Sequence, residues 1–221
     1  NLLKRPQICE VNWIDRNLET QLLYGDMVTI LGQCDPFVYV AVEGQEIFSE
    51  SGWTLYKGYV LKEALDPHGV FEKKGQDEKN LIALARSFLG SEYLWGGCSF
   101  PTLAKTEPLR GVDCSGLVHL VYKTLGKKLP RNAHDQFLKT KRTCVGEMVP
   151  GDLFFSSETG MDGRVDHVMM VSSNNYLIEA VMKEKVVREI SFKEKFGSGL
   201  NFELSSQMVG TIALHPSTFL D

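Results

Sequence analysis

The chain has 221 residues, 43% of them hydrophobic and 24% charged, with a formal net charge of −4. This is the make-up of a globular protein with room for one large domain or two small ones. Mild acidity without a basic stripe argues against nucleic acid as the main partner, and no apolar run reaches the roughly 18 residues of a membrane span.

In chain order, Asn1 stands where Met would, with no signal-peptide pattern, which reads as a processed or trimmed start and leaves the address open. Up to about residue 75 the pattern is β-rich. Stretches 24–31, 37–42 and 52–60 alternate β-branched and aromatic residues between turn residues, and no helix of convincing length interrupts them. That fits a small all-β barrel over residues 1–75, ending in a polar linker at 66–75, with a second domain over 76–221. The second domain opens on a helix carrying Leu81, Leu84, Ala85 and Phe88, with Asp77 as its cap and Gly90 at its end. Residues 101–110, with two prolines, read as loop.

Asp113-Cys114-Ser115-Gly116 comes next, followed by Leu117, Val118, Val121, Tyr122 and Leu125 on one helical stripe and by Gly126 as a stop. A cysteine alone is most often a small apolar residue. Here it falls in the first turn of a helix, where unsatisfied N–H groups and the positive end of the dipole favour the thiolate. A short helix at 134–138 and strands at 152–156, 165–171 and 176–181 complete an α+β order, helices first and sheet afterwards. His167 and Glu179 lie on the last two of these strands, 53 residues after Cys114 and 12 after His167. A helix N-terminus can therefore face two neighbouring strands, with thiol, base and orienting group in one line. The other histidines have plainer readings: His68 in the linker, His119 on the polar side of the Cys114 helix, His134 near a helix start and His215 in the tail. Cys9, Cys34, Cys98, Cys114 and Cys144 show no paired metal-ligand spacing, so no metal site is expected, and a disulfide among the other four is left open. Cys98 is a rival nucleophile without a helix behind it.

These residues resemble the NlpC/p60 family of cell-wall cysteine peptidases. The matching segments are Ser91-Glu92-Tyr93-Leu94-Trp95-Gly96-Gly97, Gly111-Val112-Asp113-Cys114-Ser115-Gly116-Leu117-Val118, Leu129-Pro130-Arg131, Pro150-Gly151-Asp152-Leu153-Phe154-Phe155 and Asp166-His167-Val168, in family order over about 80 residues. The resemblance implies a papain-like catalytic domain with Cys114 as nucleophile, His167 as general base and then acid, and Tyr93 near the thiol, helping to hold the oxyanion. The family's third polar residue is usually His, sometimes Asn or Gln, and here its place is taken by Glu179. A carboxylate there would fix the ring's tautomer and stabilise the imidazolium. Against this, a buried unpaired Glu is costly, so Glu179 could instead point outward while another group orients the ring.

Leu22-Leu23-Tyr24-Gly25-Asp26-Met27-Val28 and Tyr56-Lys57-Gly58-Tyr59-Val60 resemble a bacterial SH3 domain. Together the two resemblances imply cleavage between γ-D-glutamate and meso-diaminopimelate or lysine in peptidoglycan stem peptides, with a free N-terminal L-Ala. Asp113 and Ser115 match positions that hold its ammonium, and Tyr56 and Glu19 are the candidates from the β-rich side. No cofactor is implied. The expected partners are muropeptides, met in the cell envelope or periplasm or, alternatively, in cytoplasmic recycling. Two other readings stand beside this one: an N-acetylmuramoyl-L-alanine amidase or other thiol acyl transfer on the same fold, and a wall-binding module with vestigial activity.

Overall fold

The computed structural model describes residues 1–7, 17–66, 80–101, 110–157 and 164–197, and the backbone of 208–209 and 212–219. The first part is a five-stranded antiparallel sheet of β1 (Leu2–Leu3), β2 (Leu18–Thr20), β3 (Val28–Cys34), β4 (Phe37–Ser49) and β5 (Gly52–Leu61), in the order β2-β1-β5-β4-β3. The three expected strands are β3, β4 and β5, whereas β1 and β2 are too short to leave a periodic signature. Val38, Val40, Val42, Tyr56 and Val60 bury one face of the long hairpin around Leu2. The linker read at 66–75 lies, apart from Asp66, outside the described residues, as do His68 and Asp77.

The helices are α1 (Leu81–Arg86), α2 (Cys114–Thr124) and α3 (Ala133–Leu138). Asn80 caps α1 by accepting from the N–H groups of Ile82 and Ala83 at 3.1 Å, so the described cap is Asn80 and not Asp77. In α2 Leu117, Val118, Val121 and Tyr122 of the stripe read from sequence are buried, Leu125 caps the helix end half-buried, and His119 is buried too. This corrects its placement on a polar face: its Nδ1 donates to Leu129 O at 2.7 Å, and burial first, then the charges of Arg131 and Lys123, push its pKa down to about 4.

The second sheet contains β6 (Thr140–Arg142), β7 (Leu153–Ser157), β8 (His167–Ser173), β9 (Tyr176–Val181), β10 (Val186–Ser191), β11 (Met208–Val209) and β12 (Ile212–Phe219), with the short helix α4 (Phe192–Phe196) after β10. All its pairs are antiparallel, in the order β10-β9-β8-β7-β12-β11, with β6 also paired to β12. His215 therefore lies in a strand, a correction to its reading as tail. The period-2 alternation of a strand divides the burial cleanly. Phe155, Val168, Met170, Ile178, Ala180 and Val187 face α2, while Phe154, Met169, Val171 and Leu177 pack on the other side against Phe192 and Phe196 of α4. Each such fully buried side chain contributes about 1.5–3 kcal/mol. With both faces covered, β7 is buried along its whole length.

The two parts meet through specific contacts. Leu94 joins the cluster of Leu3, Leu18 and Phe37. Cys98 N donates to Gln21 Oε1 at 2.9 Å, Arg131 N donates to Glu46 O at 3.2 Å, and Lys123 pairs with Asp26 at 2.6 Å. Among the described residues, no helix is long and apolar enough to cross a membrane.

Candidate active site

Cys114 is the first residue of α2 and is 9% exposed. Its position is set by Asp113, an extended N-cap whose Oδ1 accepts from Gly116 N at 2.6 Å. Gly116 must be glycine, because a methyl there would collide with Gly97 O, so the helix start lies directly on the Trp95-Gly96-Gly97 loop. The first-turn amides of α2 have no acceptor within the helix and converge at the thiol's end of it.

His167 opens β8 and is 22% exposed. Its Nε2 donates to Glu179 Oε2 at 2.7 Å, and the ring also hydrogen-bonds Cys114, for which Nδ1 is the nitrogen left. Desolvation alone would lower the ring's pKa, but the hydrogen bonds to Cys114 and Glu179, together with the negative charges they carry, push it up to about 9. Glu179 has no exposed surface. Burial would raise its pKa, but the hydrogen bond and charge of His167 and the charge of Lys195 outweigh it and hold it down at about 2. Two further cations reach it. Arg188 donates to Oε1 through Nε at 3.0 Å and Nη2 at 2.9 Å, and Lys195 Nζ donates to Oε2 at 2.7 Å.

A second buried network lies beside the thiol. Arg131, 1% exposed, donates from Nη1 and Nη2 to the two oxygens of Asp113 at 2.9 and 2.8 Å. It also donates to Ser115 Oγ at 3.0 Å, Gly97 O at 3.1 Å and, from Nε, Thr20 Oγ1 at 2.8 Å on β2. Asp113 accepts two more bonds, from Gly96 N at 3.0 Å and Ser115 Oγ at 3.2 Å. Its carboxylate is thus met by five donors and balanced by a bidentate guanidinium. On the outer side of this network, the Tyr56 hydroxyl lies 3.0 Å from Glu19 Oε2 and 3.4 Å from Asn132 Oδ1.

The structure therefore gathers Cys114, His167 and Glu179 into one hydrogen-bonded line, and Glu19 with Tyr56 into one pair beside Arg131. Asp113 and Ser115 flank the thiol but face inward, into the Arg131 network. Tyr93 belongs to the same buried cluster as Cys114, and its backbone bridges Val112, one residue before Asp113. Cys98 is buried, and desolvation, which outweighs the opposing charges of Arg131 and Lys123, pushes its thiol up to about 11, which removes it as a rival nucleophile. Cys34, Cys98, Cys114 and Cys144 are free thiols, while Cys9 lies outside the described residues. Among the described residues no group of His, Cys, Asp or Glu is arranged to hold a metal.

Sequence reasoning missed Arg188 and Lys195. The first had a signal: a hairpin centred on 182–185 puts Arg188 directly opposite Glu179, which is the observed register. Lys195 had none, because it arrives on a helix of five residues. Chemically, the thiol–imidazole–carboxylate line suits covalent acyl transfer through a thioester.

The NlpC/P60 family model matches residues 90–199. Among curated proteins, the γ-D-glutamyl-L-lysine dipeptidyl-peptidase of Bacillus subtilis (strain 168) is 32% identical over 126 residues, 57% of this chain and 39% of that protein. The murein DD-endopeptidase MepH of Escherichia coli (strain K12) is 32% identical over 111 residues, 49% and 38% of the two chains. The chain spans less than half the length of these relatives. Among solved structures, an NlpC/P60 family protein from Bacillus cereus ATCC 10987 superposes with a TM-score of 0.61 at 21% identity, over 78% of this chain and 76% of that one, and so shares the fold.

Proposed function

Residues 90–199 form an NlpC/P60 family domain, and from that premise we propose that the chain is a cysteine peptidase hydrolysing the γ-D-glutamyl–diamino acid bond of peptidoglycan stem peptides, chiefly those with a free N-terminal L-Ala. The observation that carries the chemistry is the line from Cys114 through His167 to a fully buried Glu179 at the start of α2. The name of the Bacillus subtilis relative supports the substrate class.

In this reading the Cys114 thiolate attacks the γ-glutamyl carbonyl carbon. A C–S bond forms, and the charge moving to oxygen is received by first-turn amides of α2 and by the Tyr93 hydroxyl. The His167 imidazolium passes its proton to the leaving amine, the C–N bond breaks, and a thioester remains. Water then gives a proton to His167 and attacks the thioester, expelling the thiolate. Glu179 holds the ring's tautomer and stabilises its charged form. Residues 1–75 are proposed as an SH3-like domain preceding the catalytic domain at 76–221, with Glu19 and Tyr56 closing the end of the groove that receives the ammonium.

Mass spectrometry of L-Ala-γ-D-Glu-L-Lys and L-Ala-γ-D-Glu-meso-diaminopimelate after incubation tests the bond assigned. Release of L-Ala-γ-D-Glu from either is expected; cleavage at the L-Ala–D-Glu amide instead, or no cleavage of either peptide, would overturn it. The third position has its own test. Glu179→Gln removes the charge but retains a hydrogen-bonding partner, so kcat falls on the order of tenfold or more, and Glu179→Ala falls further. Wild-type rates in both variants would place Glu179 outside the mechanism.

A further inference from the structure

Glu179 lies on the sheet face opposite the helix that presents the thiol. It shares strand parity with Leu177, which packs against α4, whereas its neighbours Ile178 and Ala180 pack against α2. Through the same alternation His167 belongs with Met169 and Val171, and being the first residue of β8 it sits at the rim where both faces meet. Lys195 therefore reaches the carboxylate from behind the site, carried by α4. That helix is fixed by a capping box between Ser191 and Glu194 and by Phe192 and Phe196, whose rings pack on Phe154 at 5.4 and 5.6 Å.

Geometry divides the carboxylate unequally. Oε1 is filled by Arg188 alone, in two hydrogen bonds, while Oε2 is shared between His167 Nε2 and Lys195 Nζ, each at 2.7 Å. Among the described residues, the charged groups facing this cluster are Cys114 on α2, His167 on β8, Arg188 on β10 and Lys195 on α4. Glu184 lies in the β9–β10 turn, 3.4 Å from Arg188 Nη1, and Glu194 on α4 also feels the Arg188 charge. With thiolate and imidazolium formed, Cys114, Glu179, His167, Arg188 and Lys195 carry two negative and three positive charges. Glu179 alone is met by all three cations, while Glu184 answers Arg188 from the turn.

We propose that Lys195 is a positioning residue that, with Arg188, keeps the buried Glu179 ionised and withholds part of it from His167, so that the ring gives up its proton at a lower pH than a carboxylate of its own would allow. Two cations make burial of the carboxylate tolerable, where an unpaired one would be expelled or protonated. The second of them also repels the imidazolium and competes for the same oxygen. The inference rests on the peptidase reading only for its consequence, since the ring's titration can be followed without substrate.

The test is an NMR titration of the full chain labelled in its histidine rings, with His167 assigned from the spectrum of a His167→Ala variant. Lys195→Met is expected to raise the His167 midpoint by about one pH unit, the scale of one like charge removed at close range. Lys195→Gln, which retains a donor to Oε2 without the charge and disturbs packing less, is expected to raise it in the same direction, and Lys195→Arg to leave it near the wild-type value. A midpoint that stays or falls in Lys195→Gln overturns the proposal, whether or not Lys195→Met folds. The alkaline limb of kcat/KM should move with the midpoint while KM changes little. If the wild-type chain cleaves no stem peptide yet the midpoint shifts as expected, the substrate reading fails and the charge relay stands; an active enzyme with an unmoved midpoint is the reverse.

Discussion

Cys114→Ala is expected to yield a folded protein with no measurable peptidase turnover and no fast-alkylating thiol. The side chain removed is small and 9% exposed, and α2 keeps its N-cap, its apolar stripe and the Arg131 network, so little of what holds the helix start depends on sulfur. The chemistry depends on it entirely, since water at this place has no covalent intermediate to form and the imidazole has no thiol to address. Rescue by a neighbour is excluded by position: Cys98 is buried and its thiol is pushed up to about 11, mainly by desolvation. Iodoacetamide at neutral pH, with peptide mapping, should modify Cys114 first in the wild type and leave Cys98 untouched. Substantial turnover by Cys114→Ala, measured on the free tripeptide, would end the assignment.

The site was legible in the sequence to the extent that its chemistry sits on strong local signals. A cap, a thiol and a small residue before an apolar stripe define Cys114, and His167 and Glu179 fall on strands whose alternation is clear. What a sequence could not supply was the compensation for Glu179. Its burial was the physical objection to a carboxylate at the third position, and that objection is met by Arg188 and Lys195, which come from a cross-strand register and a one-turn helix. Such groups have no periodicity of their own. Asp113 and Ser115 illustrate the opposite case. They stand beside the thiol, but neighbourhood in the chain does not say which way a side chain faces. Here a buried arginine 18 residues from Asp113 turns that carboxylate inward.

For the fold, the long strands of the first sheet and the central strands of the second could be read because each carries four or more alternating residues. The strands missed are of three kinds. β1, β2, β6 and β11 have two or three residues, too few for a period. β10 has six, but its adjacent Arg188 and Glu189 break the apolar pattern. The segment of β12 includes Pro216, which removes a ladder donor and masks the pattern, although its backbone pairs with β7 from Ala213 to Ser217. A histidine such as His119 is misplaced for a related reason: the helical wheel assigns it to the polar face, but α2 is enclosed on every side.

Acetylating the N-terminus of L-Ala-γ-D-Glu-L-Lys is expected to lower kcat/KM by about a hundredfold or more, most of it through binding, because two penalties coincide. The first is charge. Asp113 is already neutralised by Arg131, and Ser115 Oγ is engaged with both, so of the four residues proposed to meet the substrate ammonium the anion left is Glu19. Glu19 is 21% exposed, and its other partner is Lys4 at 3.2 Å, itself 62% exposed and therefore weakly held. An incoming ammonium can displace that lysine at small cost, whereas an N-acetyl group offers nothing in return and leaves the carboxylate partly desolvated. The second penalty is space: in the proposed reading the buried Tyr56, whose hydroxyl is held between Glu19 and Asn132, leaves no room beside Glu19 for an acetyl group. Glu19→Gln should accordingly raise KM for the free peptide by roughly tenfold and narrow the gap between free and acetylated substrates, since about 1.4 kcal/mol corresponds to tenfold. Tyr56→Phe should have a smaller effect in the same direction. Equal kcat/KM on free and acetylated peptides would rule out recognition of the free ammonium and leave the first sheet a role in stability or anchoring, and a gap unchanged by Glu19→Gln would assign the discrimination to shape alone.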